Sequence, residues 1–85
     1  MKITRDGDAL YADIHGLRAE PARRRLLELI ETAPADVKYV VVIHGYHTGE
    51  ALKTMVRSSL AAPRIKRIVP AYNAGQTVIH LKKHG

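Results

Sequence analysis

The stretch Tyr39-Val40-Val41-Val42-Ile43-His44-Gly45-Tyr46-His47-Thr48-Gly49 decides how the chain is read. Its first five residues are all aromatic or β-branched, types that suit a pleated backbone. A strand apolar at every position has no face left for water, so 39–43 reads as the central strand of a sheet. A loop of Gly, His, Tyr and Thr follows at once, and a helical pattern runs from Glu50 to Leu60. Open α/β sheets usually hold their ligands at the carboxyl ends of such strands, which makes this loop the first candidate for function.

On the amino-terminal side, Lys2-Ile3-Thr4 and Leu10-Tyr11-Ala12-Asp13-Ile14 flank Arg5-Asp6-Gly7-Asp8. Asp-Gly signals a hairpin turn, because Gly accepts positive φ, so a short edge strand is expected before the second strand. In that second strand Leu10, Ala12 and Ile14 share one face, and Tyr11, Asp13 and His15 the other. A helix is expected from about Glu20 to Thr32, with Pro21 in its first turn and Ala22, Leu26, Leu29 and Ile30 as a buried stripe.

On the carboxyl-terminal side, Thr48 is a candidate N-cap for the second helix, with Glu50 complementing its dipole. Leu52, Met55, Val56, Ser59 and Leu60 form its expected buried stripe. Lys53 and Arg57 sit i, i+4 on a flank, a like-charge spacing that hints at an anionic partner. Ile65 to Pro70 and Gln76 to Leu81 read as two further strands, antiparallel across the turn residues 71–75. His80 alternates with Val78 on a sheet face and carries no assigned role, and 82–85 form a basic tail. The order β-α-β-α-β-β makes a single α/β domain over 1–85, core about 10–82: a two-layer sandwich of a four-stranded mixed sheet and two helices, with a short N-terminal edge strand as an optional addition.

Fourteen Lys and Arg against eight Asp and Glu leave a formal charge of +6. That balance favours a polyanionic partner such as RNA or DNA. There is no Cys, which excludes thiolate metal sites. No apolar run approaches the roughly 20 residues that span a bilayer. The N-terminus lacks the apolar core of a signal peptide, so a cytoplasmic location without a membrane partner is expected.

Asp13 and His15 project to one side from the end of a strand, and His44 follows the next strand directly. Right-handed crossovers bring successive parallel strand ends to one edge, so Asp13, His15, His44 and the glycines after them are expected to share a cleft. A carboxylate can orient an imidazole and favour its cation, and an imidazole, with an ordinary pKa near about 6.5, exchanges protons near neutrality. The segment 44–49 opens a helix, where free N–H groups suit a phosphate, and Tyr46 offers a ring for base stacking. No zinc spacing is matched, so no structural metal is expected.

Taken in order, Asp13-Ile14-His15-Gly16-Leu17, Glu20 and Ala22, Val42-Ile43-His44-Gly45, Leu52-Lys53, Val56, Leu60 and Gly75-Gln76-Thr77-Val78-Ile79-His80-Leu81 resemble the Smr (small MutS-related) domain family. The resemblance covers roughly Leu10 to Leu81. It implies a fold similar to the C-terminal domain of translation initiation factor three and nucleic-acid binding, with nicking or endonuclease activity on DNA or RNA in several members, by phosphodiester hydrolysis or transesterification. The family's Leu-Asp-x-His motif falls on Ala12 to His15 and its His-Gly-x-Gly motif on His44 to His47. Asp13 and His15 are then the catalytic candidates, with His44 assisting. Gly45, Tyr46, His47, Thr48, Gly49, Lys53 and Arg57 are the nucleic-acid-binding candidates. Ala12 replaces the usual Leu, and His47 stands where the second Gly is expected, with Gly49 two residues later. The family also includes domains appended to MutS-like proteins acting on branched DNA or stalled ribosomes; a small stand-alone member is expected here. A divalent ion such as magnesium or manganese is one option for handling phosphate beside a lone carboxylate. The alternatives to a nuclease are a nucleic-acid or ribosome-binding module without chemistry, and a protein-interaction domain whose charge is incidental.

Overall fold

The apolar run Tyr39–Ile43 forms strand β3 in the middle of a five-stranded sheet. The computed structural model describes residues 1–46 and 50–83. The elements before it are β1 (Lys2–Asp6), β2 (Ala9–Asp13) and helix α1 (Ala19–Thr32). After it come α2 (Glu50–Thr54), which continues as a π-helical turn over Met55–Ser59, then β4 (Ile65–Pro70) and β5 (Gln76–Leu81). The sheet order is β1-β2-β3-β5-β4. Strands β2 and β3 are parallel, and β5 runs antiparallel between β3 and β4. The optional edge strand is present and longer than expected. β1 pairs with β2 from Lys2↔Asp13 to Asp6↔Ala9 through a two-residue turn in which Gly7 takes φ 61. All five of its residues are exposed, as suits an edge.

Both helices cover one face of the sheet. Leu10 and Ala12 of β2, with Ile14 just past its end, Val40 and Val42 of β3, and Ile79 and Leu81 of β5 join Ala22, Leu26, Ile30, Leu52, Met55 and Val56 in one core cluster. The stripe expected on α1 is buried except Leu29, which is half-buried against that cluster. The second helix differs from the uniform α-helix expected to Leu60. Its π turn holds an additional residue, so Met55, Val56 and Leu60 stay buried while Ser59 is turned out to solvent. The opposite face carries Tyr11, Asp13, Tyr39, Val41, Ile43, Val78 and His80, with no layer over it among the described residues. Among the described residues no helix is long and apolar enough to cross a membrane.

The carboxyl end of α1 has no basic residue in its last turn and no glycine cap. Its carbonyls are taken up instead by Arg64, which is only 8% exposed. The guanidinium donates to the carbonyls of Ile30 (2.9 Å), Ala33 and Pro34 (2.9 Å), and Nε reaches Lys82 O at 3.4 Å. In return Lys82 N–H donates to Arg64 O at 2.8 Å. A cation among the negative ends of a helix is favoured electrostatically, and five N–H groups can satisfy several carbonyls at once. One side chain thus joins α1, the segment leading to β3, and the end of β5. Arg64→Met keeps much of the volume but strands these acceptors. We expect it to lower the unfolding free energy by at least about 2 kcal/mol, seen as a melting temperature lower by roughly 8–16 °C for a chain of this size.

Candidate active site

The parallel register sets the site. Asp13 and Ile43, the last residues of β2 and β3, are Cα partners, and Ile14 N–H donates to Ile43 O at 3.0 Å. The two turns beyond them therefore start side by side. Gly45 takes φ 89, a backbone conformation that L side chains rarely adopt. An added Cβ there would stand 3.7 Å from His15 Cβ, so the space is open and the glycine is required by its backbone angle.

Asp13 and His15 come together as the alternation of β2 implies. Asp13 Oδ1 lies 2.5 Å from His15 Nδ1 and also accepts the His15 backbone N–H at 3.2 Å. Burial works to raise the Asp13 carboxyl. The hydrogen bonds from the His15 side chain and backbone, with the charges of His15 and Lys2, outweigh it and hold the carboxyl below its ordinary value. An ionised carboxylate can only accept, so His15 Nδ1 carries a proton and the neutral ring keeps its lone pair on Nε2. The His15 side chain is 69% exposed, so the corner is open to solvent.

His44 is placed differently. It continues the inward alternation of Val40 and Val42 and is 1% exposed. Its Nδ1–H donates to Gly45 O at 3.1 Å, and its Nε2 lies 2.9 Å from Thr77 Oγ1. Arg57 Nε–H donates to the same hydroxyl oxygen at 3.0 Å. The Thr77 hydroxyl can therefore give its own proton to His44 Nε2, so both nitrogens of the buried imidazole and the Thr77 hydroxyl are satisfied. Burial pushes the His44 imidazole below its ordinary pKa. The Gly45 carbonyl opposes this, Arg57 and Lys53 add to it, and Glu50 opposes it. The structure thus brings Asp13, His15 and Gly45 to one open corner and seats His44 in the core beside it.

Tyr46 is 63% exposed, and its hydroxyl donates to Asn73 Oδ1 at 2.7 Å. Its ring lies against Gly75, where an added Cβ would come within 3.3 Å. Asn73 Oδ1 also accepts the Gly75 N–H, and Gly75 O accepts the N–H groups of His44 and Gly45 at 3.0 and 3.1 Å. The β4–β5 turn thereby clamps the loop after β3. Lys53 pairs with Glu50 at 3.1 Å. His47, Thr48 and Gly49, expected to complete the loop and cap the helix, lie outside the described residues, as do His84 and Gly85 of the basic tail.

Sequence reasoning assigned no role to Thr77, Asn73 or Gly75. Thr77 had a signal, a polar residue at an inward position of an otherwise apolar alternation. Among the described residues no three His, Asp or Glu side chains converge. At this corner the described donors are the Asp13 carboxylate and the His15 imidazole.

The buried imidazole has a measurable consequence. His44 is held neutral in the folded chain but is protonated in the unfolded chain below its ordinary value of 6.5. Its contribution to stability is present above that value and is lost as pH falls below it towards the lower folded-state pKa. His80, depressed by burial and then by Arg67 and Lys66, acts in the same direction. Urea unfolding should show falling stability from pH 7.5 to 5.5, with a flatter dependence in His44→Asn. Thr77→Val should cost about 1–3 kcal/mol at pH 7.5, because it leaves buried polar groups unpaired.

Comparison with known proteins agrees with the fold and the motif order. No curated protein matches the chain. The chain is similar to the crystal structure of the Smr domain of Thermus thermophilus MutS2, with a TM-score of 0.74 and 27% identity, over 85% of this chain and 96% of that one. Residues 12–82 match the family model described as the Smr domain. That span runs from the Ala12–His15 motif to the end of β5, and the chain belongs to the Smr domain family.

Proposed function

We propose that the protein binds nucleic acid at the Asp13–His15 corner and nicks the phosphodiester backbone there. The observation that carries this reading is the short Asp13–His15 contact on an exposed strand end beside Gly45. With Nδ1–H held by the carboxylate, Nε2 of His15 is free to take a proton from an attacking oxygen, either water or the 2′-hydroxyl of RNA. That oxygen adds to phosphorus, and the ester oxygen opposite it leaves and is protonated from solvent. Asp13 stabilises the imidazolium formed and keeps the ring in the productive tautomer. His44 acts through its neighbours, fixing the turn that presents Gly45. On the helix that follows, Lys53 is paired with Glu50, and Arg57, one turn on and bonded through Nε to Thr77, supplies positive potential next to this loop.

The +6 formal charge supports a polyanionic ligand. So does membership of a family whose resemblance implies nucleic-acid binding. A gel assay with labelled single-stranded RNA, duplex DNA and branched DNA, run with and without magnesium or manganese, tests the proposal. His15→Ala should lower cleavage by about 10²–10⁴-fold, and Asp13→Asn should lower it strongly too, both with binding within twofold of the wild type. Binding without cleavage by the wild-type chain would leave a recognition module, and absence of both would defeat the proposal.

A further inference from the structure

A second charged feature lies at the other end of β3. A cavity of about 530 Å³ opens between the start of β3, the start of β4 and the end of β5. Lys38, Lys66, Arg67, Lys82 and Lys83 line it. They are five of the chain's fourteen Lys and Arg, and the one carboxylate at the rim, Asp36, is engaged by Arg5 at 2.8 Å. Among the described residues none of the five has an ion-pair partner.

The backbone gathers this charge in two ways. The β4–β5 ladder is irregular between Ile65 and Arg67, where Ile65 faces Leu81 and Arg67 faces His80, so Lys66 is an additional residue in the strand. A bulge of this kind redirects side chains, and Lys66 and Arg67 both reach the cavity. Lys82 is held by its backbone pairing with Arg64. Tyr39 and His80, direct Cα partners that also line the cavity, meet edge to face with ring centroids 5.1 Å apart. Arg67 continues that row on the next strand.

We propose that this cleft is a second nucleic-acid site, holding the phosphodiester backbone of a single strand on its lysines and arginine with a base against the Tyr39–His80 pair. Cations tracking a backbone, with aromatic surface for stacking, form the arrangement used by single-strand binders. The cavity falls within the roughly 300–1,000 Å³ of small-ligand pockets, room for a nucleotide and far short of a duplex. His80, held neutral by burial and by Arg67 and Lys66, offers a ring while the charge comes from its neighbours. The cleft shares the uncovered sheet face with Asp13. The four-residue step from Tyr39 to Ile43 places the two sites about 13 Å apart along the strand. The ligand class rests on the proposed nucleic-acid binding, but not on cleavage at Asp13.

The test is fluorescence anisotropy of the full chain with a labelled 12-nucleotide single strand over a range of salt, with amide NMR shifts mapped on the wild type. Lys66 and Arg67 are exposed, so the double variant Lys66→Ala/Arg67→Ala should melt within a few degrees of the wild type. It should bind about tenfold more weakly, with a log–log salt slope reduced by about 1.4 for two lost single-strand phosphate contacts. Tyr39→Leu should weaken binding without changing that slope. Shifts at Tyr39, Lys66 and His80 support the cleft even if Asp13→Asn shows there is no nuclease to lose. Shifts confined to Asp13–Gly45 with unaltered affinity in the double variant overturn the cleft and leave the proposed function standing. No binding by the wild type, or preference for anionic vesicles or an acidic peptide over the oligonucleotide, overturns the cleft as a nucleic-acid site.

Discussion

A single buried hydroxyl, that of Thr77, stands between an imidazole and a guanidinium, and the geometry of the candidate site depends on it. Thr77 is on β5, His44 follows β3, and Arg57 comes from the turn after α2. His44 and Thr77 lie where water does not reach them, and the half-buried Arg57 closes the row, so the two buried groups must find their partners within the protein. The requirement fixes more than three side chains. It sets how the helix after the β3 loop lies on the sheet, and it puts Gly45 where the β2 turn can approach it. An apolar trio in the same place could fill the volume but would not specify the orientation of the ring or the exit direction of the chain.

The two-sided character of the sheet follows from the same alternation that placed His44. Even-numbered residues of β2 and β3 face the helices, and odd-numbered ones face the other side of the sheet, where Val41 is still buried between its neighbours. A slip of one residue between these strands would turn Ala12 outward and carry Asp13 into the core, where an unpaired carboxylate is strongly disfavoured. Register and chemistry are therefore coupled. The Asp-x-His spacing brings both groups to one face because the strand period is two, and the following glycines let the chain turn away before a third side chain intervenes.

Much of this was legible in the residues. The unbroken run 39–43 identified the central strand, the period-two pattern paired Asp13 with His15, and the stripe Ala22, Leu26 and Ile30 located the first helix. What escaped sequence reasoning depends on contacts distant in the chain. Arg64 reads as one more basic surface residue until the carbonyls of Ile30, Ala33 and Pro34 are seen around it. The burial of His44 depended on which face residue 44 would occupy after the strand ended, and the motif order suggested an open cleft instead. The widened turn in the second helix left no mark in the periodicity, since Leu52, Met55 and Val56 fit either helix. The role of Asn73 and Gly75 could not be seen from β4–β5 alone, because their partners belong to the loop after β3.

The wide turn over Met55–Ser59 makes the second helix unusually sensitive to length. Removing one residue there would let the backbone return to regular α geometry and would relieve whatever cost the wider turn carries. It would also rotate everything beyond the deletion by about 100° around the helix axis, one residue's share of a turn. Arg57 would then leave Thr77, and Leu60 would leave the core. Shortening a helix by one residue is commonly absorbed at a frayed end. Here the wide turn is itself the helix end, but Met55, Val56 and Leu60 around it are buried, so the end cannot fray and tolerance of gaps and insertions should be low in a segment that touches neither Asp13 nor His15.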